Sequence, residues 1–395
     1  MFRFRFRSRL AVASVALLGI STFSMSGQSG SPSQSNDSYG YHPHHHAPTL
    51  TAQQSGTTNR LQAVSPVNSR VVWASGVGGT FVRTIDGGQT WQAGVVAGAE
   101  TLEFRDVQGV SEDVAYLLSS GTGTDSRIYK TENGGQSWTL QFENQDPNAF
   151  YDCFAFWTPD RGITTSDAVN GVFPAIRTRD GETWDDIEDR LPPAQPGEAS
   201  FAASGTCVAA QGKRRAWIGT GGAAKARILA TVDGGRSWNA YDTPIIQGTA
   251  SSGVFSVDFR DAFHGILGGG ELATPTVISN TVARSADGGR TWILGGKTPF
   301  PGAIYGLSYV RELCRDDEDP YDRSKGCGHS DGNNDRRKDD RRVVATGPAG
   351  AAWSPDEGST WISLPSLQNY WAVAFASHDA GWFVGTEGRI LKISL

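Results

Sequence analysis

Six times along the chain a carboxylate or carboxamide stands two residues after Ser or Thr and shortly before Trp. The copies are TIDGGQTW (84–91), TENGGQSW (131–138), TRDGETW (178–184), TVDGGRSW (231–238), SADGGRTW (285–292) and SPDEGSTW (354–361). A carboxylate can serve as a general acid or base, so Asp86, Asn133, Asp180, Asp233, Asp287 and Asp356 are the first residues to weigh. Their setting argues against catalysis. An Asp ahead of one or two Gly can accept backbone N–H bonds from the turn that follows, and Gly supplies the positive φ that a tight reversal needs. The Ser and Thr hydroxyls fasten the same loop. Trp91, Trp138, Trp184, Trp238, Trp292 and Trp361 then leave the turn. Each is expected to bury its ring between neighbouring sheets, with the indole N–H seeking an acceptor. The repeated unit reads as a turn staple.

Other residues could carry chemistry. Asp152 and Asp258 fall on expected inner strands, but the sequence does not give their separation. His42, His44, His45 and His46 lie in HPHHH, which could hold a metal, although a solvated polar tail accounts for the tract more simply. DGNND (331–335) imitates the start of a calcium loop, yet Arg336 replaces the required Gly and Arg342 stands where the bidentate Glu belongs, so no such site is assigned. Cys314 and Cys327 bracket a short polar loop and are the first disulfide expectation. Cys153 and Cys207 occupy the same column of adjacent inner strands, and bonding them calls for a register shift of one. No Cys-x-x-Cys spacing indicates zinc or thiol exchange, and nothing calls for a cofactor.

The elements that must position these residues are strands. Of 395 residues 49 are Gly and 10% are aromatic, and short runs of Val, Ile, Phe, Tyr and Trp alternate with Gly, Asp and Asn. The closing Trp residues are 47, 46, 54, 54 and 69 apart, a period that indicates several strands per unit in a propeller. The stretch 370–395 repeats three strands and stops without a box, which makes seven units with the last one short. An open blade would expose a sheet edge, so a segment near Leu50 to Ser55 is expected to close the ring. The fold expected is all-β: a seven-bladed propeller with four-stranded antiparallel blades over 58–395 and a charged insert at 311–342 in blade 6.

Ahead of it, Arg3, Arg5, Arg7 and Arg9 precede an apolar run, Leu10 to Ile20, and Ser24-Met25-Ser26 offers small residues before Gly27. Residues 1–26 read as a cleavable secretory signal, and 27–57 as a His-bearing tether whose end could supply the closing strand. The product would be periplasmic or extracellular, monomeric and without a membrane span. Cleavage takes the formal charge from −6 to −10, which disfavours nucleic acid.

In such a blade the loops joining second to third strands share one rim with the blade-to-blade connections, and the boxes lie on the other. Blades 3, 4 and 5 carry the long loops of the first rim: TSDAVNGVFP (165–174), GTGGAAKAR (219–227) and GGGELATPTVISN (268–280). Long loops are where binding usually lives. Asp167, Lys225, Arg227 and Glu271 are the candidate binding groups there. Trp157 is the free Trp to consider as a stacking platform, with packing between blades as its plainer role.

The boxes resemble the Asp-box (BNR) repeat of sialidase-like propellers. With seven units behind a signal peptide and the phrase GWFVGTEGRILK (381–392), the chain is most similar to the photosystem II stability and assembly factor family. That resemblance implies an exported, non-catalytic scaffold binding a protein or carbohydrate of the cell envelope. The His-bearing tether, the charged insert and the enlarged loops depart from it and put a photosystem client in doubt. The distant likeness to sialidases implies the alternative, a glycoside hydrolase or lyase. Sialidase chemistry needs three Arg, a Tyr–Glu pair and an Asp acid, and that set cannot be placed.

Overall fold

Every strand run between the boxes is too short to bury a face alone, so each must stack on a neighbour. The computed structural model describes residues 47–310 and 341–395, and these form seven four-stranded antiparallel sheets. The signal segment, the His tract, Cys314, Cys327 and DGNND lie outside the described residues. Blades 1 to 6 each use four consecutive strands, from Leu61–Pro66 as the inner strand of blade 1 to Ile362–Leu364 as the outer strand of blade 6. Blade 7 has only Tyr370–Ser377, Ala380–Gly385 and Arg389–Ser394 from the C-terminal stretch. Its fourth strand is Thr49–Gln54, paired antiparallel from Thr49 opposite Ser394 to Gln54 opposite Arg389. The N-terminal strand therefore closes the ring. Among the described residues there is no α-helix, only three short 3-10 turns, and no helix is long and apolar enough to cross a membrane.

The core is divided among the blade interfaces. One buried cluster lies between each adjacent pair of blades, seven in all. Six of them take the Trp that follows a box, each packed on its own blade and the one before. Trp138 meets Trp73 and Phe81 of blade 1 edge-on at 6.1 and 5.1 Å. Trp238 and Trp292 are buried, and the other four are partly covered. The seventh cluster, between blades 6 and 7, has no box Trp, and Leu50 of the closing strand and Leu395 pack there instead.

The corner that launches each Trp is built as the residue types require. Asp86 Oδ1 accepts from Thr84 Oγ1 at 2.8 Å and the Thr90 amide at 2.9 Å, and Oδ2 accepts from Thr90 Oγ1 at 2.6 Å. Thr84 Oγ1 in turn accepts the Gly88 amide. Gly88 has φ +84°, and a Cβ there would strike Gln53 Oε1 at 2.1 Å, so only Gly fits. In the second copy Asn133 Oδ1 takes the Ser137 amide while its Nδ2 donates to Ser137 Oγ. The hydrogen bonds, led by that from the Thr90 hydroxyl, lower the Asp86 carboxyl to about 2.

Candidate functional site at the axial mouth

The inner strands start at the first rim, and their opening residues align as a column. Read down the blades, the segments are RLQAV (60–64), EFRDV (103–107), FYDCF (150–154), SGTCV (204–208), GVFSV (253–257), AIYGL (303–307) and NYWAV (369–373). The third position holds Gln62, Arg105, Asp152, Thr206, Phe255, Tyr305 and Trp371. In five blades the ladder skips at this position, between Leu61 and Ala63, Phe104 and Asp106, Tyr151 and Cys153, Val254 and Ser256, and Tyr370 and Ala372. A bulge re-aims a side chain and increases local twist. In these five blades it re-aims the third residue of the inner strand.

The side chains of this column and their neighbours follow one another round the mouth. Phe201 packs on Phe255 at 4.2 Å, Phe255 on Tyr305 at 6.2 Å, and Tyr305 on Trp371 at 4.9 Å. The Arg60 guanidinium lies 4.6 Å above the Trp371 ring. Arg60 and Arg105 share Glu103 at 3.6 and 2.8 Å. The charges of Arg105 and Asp167 both act on Asp152, in opposite senses. Asp167 Oδ1 accepts the Ser200 amide at 2.9 Å, and Ser200 precedes Phe201. Half of the mouth is aromatic and half is charged.

Two neighbouring carboxyls cannot both ionise cheaply. Burial, followed by the charge of Asp167, raises Asp152 well above the carboxylate range. Burial also raises Asp167 to about 6, against the opposing hydrogen bonds from the Ser200 amide and Asp152. Of the two, Asp167 ionises first, and its charge helps Asp152 to keep its proton.

A short segment crosses the mouth from blade 3 to blade 4. Arg105 Nη1 donates to Ala202 O at 3.4 Å, Ser204 Oγ donates to Tyr305 O across the axis, and Thr206 Oγ1 donates to Ser256 Oγ at 2.8 Å. Gly205, at φ +73°, lies so close to blade 2 that a Cβ would meet Asp106 Oδ1 at 2.4 Å. The segment plugs the channel. Behind it a cavity of about 150 Å³ is lined by inner-strand residues including Ser65, Asp106, Phe156 and Asp258. Asp106 accepts the Phe154 amide and Asp258 the Tyr309 amide, each at 2.9 Å. These carboxylates tie neighbouring inner strands together.

The plug ends on a disulfide, Cys153–Cys207, with Cα atoms 5.9 Å apart and both residues fully buried. Same-column residues thus bond directly. The inner strands converge at the axis, and Cys153 sits just past the bulge that turns the strand.

The structure does not bring the long-loop residues together. Of that set only Asp167 belongs to the mouth. Arg227 is paired with the buried Glu198, which also accepts from Thr220 Oγ1 at 2.6 Å, and this fastens the blade 3–4 connection. Glu271 accepts from Ser251 and Thr249 hydroxyls and the Ala273 amide; these bonds outweigh burial and lower its pKa. Lys225 is exposed and contributes its carbonyl to Gln195. Trp157 is 2% exposed, packs between blades 3 and 4 and donates to Arg215 O at 2.7 Å, so it offers no platform. The aromatic arc was missed because Phe255, Tyr305 and Trp371 read as ordinary strand residues. Aligning the seven inner strands on their third position is the signal that finds them.

Several buried polar atoms of the mouth have no protein partner among the described residues: Arg60 Nε, both amide atoms of Gln62, Trp371 Nε1 and Asp152 Oδ2. Asp152 Oδ2 belongs to a carboxyl that burial keeps protonated well above the usual range. The others are three donors and one acceptor on the blade 7–1 side. Among the described residues, no group of three or more His, Cys, Asp or Glu is placed to hold a metal.

No protein-family model and no curated protein sequence matches the chain. Solved structures do. YCF48 bound to D1 peptide superposes with a TM-score of 0.55 at 17% identity, covering 88% of this chain and 97% of that one. YCF48 from Cyanidioschyzon merolae gives 0.58 at 16% identity, covering 87% and 98%. The GH74 enzyme of Niastella koreensis gives 0.55 at 14% identity, covering 87% of this chain and 53% of that chain. At these identities the likeness is one of fold.

Proposed function

We propose that this protein is an exported, non-catalytic propeller that holds a segment of a cell-envelope protein at its axial mouth. The observation that carries the reading is the mixed aromatic and charged surface of the mouth. Tyr305 and Trp371, each half-buried, offer apolar surface, and Arg60, Glu103 and Arg105 offer charge beside them. Mixed aromatic and Arg surfaces are the usual anchors of protein recognition. That a solved propeller of this shape is described as bound to a D1 peptide supports the class of ligand. Export is proposed from the Arg-led apolar N-terminus.

Hydrolysis of a glycoside needs two carboxyls about 5–10 Å apart, with room for the sugar and water. Asp152 is buried with its carboxyl raised by burial and by the charge of Asp167, and Asp106 and Asp258 accept backbone amides. Arg60 and Arg105 at the mouth are both held by Glu103 rather than left to clamp a carboxylate. The geometry favours binding.

A displayed random-peptide library, panned on the mature domain beside a glycan array, tests this. Saturable binding of a peptide family, weakened at least tenfold by Trp371→Ala and by Arg60→Ala, is expected. Binding of one sugar class and no peptide would overturn it.

A further inference from the structure

Aliphatic side chains held out in water by a fastened loop call for a cover. Among the described residues twelve large apolar side chains are exposed, and three of them fall in the long blade 5 loop: Leu272, Val277 and Ile278, at 42, 49 and 48% exposure. All seven residues of 272–278 are exposed, and nothing from 272 to 283 is charged. The loop is fastened. The Val277 amide donates to Thr274 O at 3.1 Å, closing a turn over Pro275, and the Gly302 amide donates to Val277 O at 3.0 Å. The Leu272 amide donates to Ser251 O at 3.1 Å, and the Ile246 amide to Asn280 O at 2.9 Å. Gly302, at φ +79°, lies so close that a Cβ there would meet Pro275 O at 2.7 Å. The connections before and after blade 5 thus grip the loop and hold its aliphatic side chains outward. We propose that this loop is a membrane contact: Leu272, Val277 and Ile278 enter the boundary of a lipid bilayer, and Lys225 and Lys297 meet anionic headgroups beside them. The loop shares the rim of the mouth but none of its residues, and the proposal does not rest on the peptide reading.

Composition favours lipid over protein. The cores of protein interfaces are rich in Tyr, Trp, Phe, Met and Arg and poor in Lys. The mouth has that character, whereas 272–283 contains none of the five enriched types. The cations at its flank are lysines. Lys225 and Lys297 are both exposed, and neither makes an ion pair among the described residues. The Ala226 amide donates to Gln247 Oε1 at 2.9 Å, and Gln247 lines a groove of about 410 Å³ together with Ser279, Asn280 and Lys297. Both lysines therefore stand on the blade 4 side of the loop. The carboxylate at its root, Glu271, is buried and accepts from the Ser251 and Thr249 hydroxyls and the Ala273 amide. Asp242, on the outer strand of blade 4, stands opposite Arg227. An aliphatic projection with cations beside it suits an anionic bilayer, where the apolar groups sink toward the acyl chains and the ammonium groups stay with the phosphates. Such a contact sets the rim that carries the mouth against the membrane surface.

Vesicle flotation of the chain from Gly27 onward, which omits the apolar run at 10–20, reads this directly. Vesicles of phosphatidylcholine with about one-third phosphatidylglycerol should carry the protein, and phosphatidylcholine alone should carry it more weakly. Val277→Asp and Ile278→Asp should each weaken binding about tenfold or more, because a buried aliphatic group becomes a charge. Lys297→Gln should weaken binding to the anionic vesicles about fivefold and leave the neutral ones nearly unchanged. Ile85→Asp and Val232→Asp, which add the same charge at exposed positions on the box rim, should float as the wild type does. No flotation with either vesicle, or equal losses from the two rims, overturns the membrane contact. So does a wild type that self-associates in sedimentation without floating and becomes monomeric on Ile278→Asp, since the loop would then belong to a protein interface. Absence of flotation would leave the peptide reading standing, and absence of peptide binding at the mouth would leave the membrane contact standing.

Discussion

Gln53→Ala probes ring closure at one residue. Gln53 lies on the closing strand, and its Oε1 accepts from Trp91 Nε1 of blade 1 at 3.0 Å and from Trp382 Nε1 of blade 7 at 3.2 Å. Its Nε2 donates to Gly87 O at 3.4 Å. Truncation strands both indole donors. Trp382 is fully buried, and an unmade bond at such a donor costs about 1–3 kcal/mol. Trp91 is only partly covered and can turn to water, adding roughly 0.5–1 kcal/mol. The expected loss is about 2–4 kcal/mol, read as a lowered urea midpoint at constant slope. Trp382→Phe should couple to it: because both changes break one bond, the double variant should fall short of the sum by about 1 kcal/mol or more. A loss under about 0.5 kcal/mol, or additive single effects, would refute the closure argument.

Further outcomes follow from the same geometry. Replacing both Cys153 and Cys207 by Ala opens a loop of separation 54, for which chain entropy gives about 4 kcal/mol of lost stability; equal denaturant midpoints would contradict this. Asp287→Asn should cost less than about 1 kcal/mol, because Asn133 already serves such a corner by donating to Ser137 Oγ, whereas Asp287→Ala should cost about 1–2 kcal/mol; thermal midpoints compare them. Because burial raises Asp167 to about 6, the folded chain binds more protons than the unfolded one between about pH 4 and 6. Its contribution is thus present at pH 4 and falls as pH rises, by up to about 3 kcal/mol, and Asp167→Asn should flatten that slope in urea titrations. The box carboxyls run the other way. Asp86 and Asp233 are lowered to about 2, so their contribution is complete above pH 4 and disappears as pH falls through 2.

The propeller was legible because its punctuation is chemical. An Asp between hydroxyls, a Gly at positive φ and a Trp form a corner that few sequences produce by accident, and the missing seventh corner pointed to a borrowed strand at Thr49–Gln54. The site was not legible in the same way. Loop length drew attention to blades 3 to 5, but Arg227 and Glu271 turned out to tie loops down rather than face a ligand. What matters at the mouth is which residue falls on a bulge, and neither the bulge nor the convergence of strands that lets Cys153 meet Cys207 leaves a mark in one strand read alone. The plug was hidden for a related reason: AASGT (202–206) reads as a plain connection, and only its partners on blades 2, 5 and 6 show that it crosses the axis.

Site-specific photocrosslinking in the native cell tests the binding assignment most directly. A photoreactive phenylalanine placed at Phe201 or Tyr305 on the mouth should yield one discrete protein adduct, and the same group at Ile85 or Val232, exposed on the box rim, should not. Adducts arising equally from both rims, or from the box rim alone, would contradict the account.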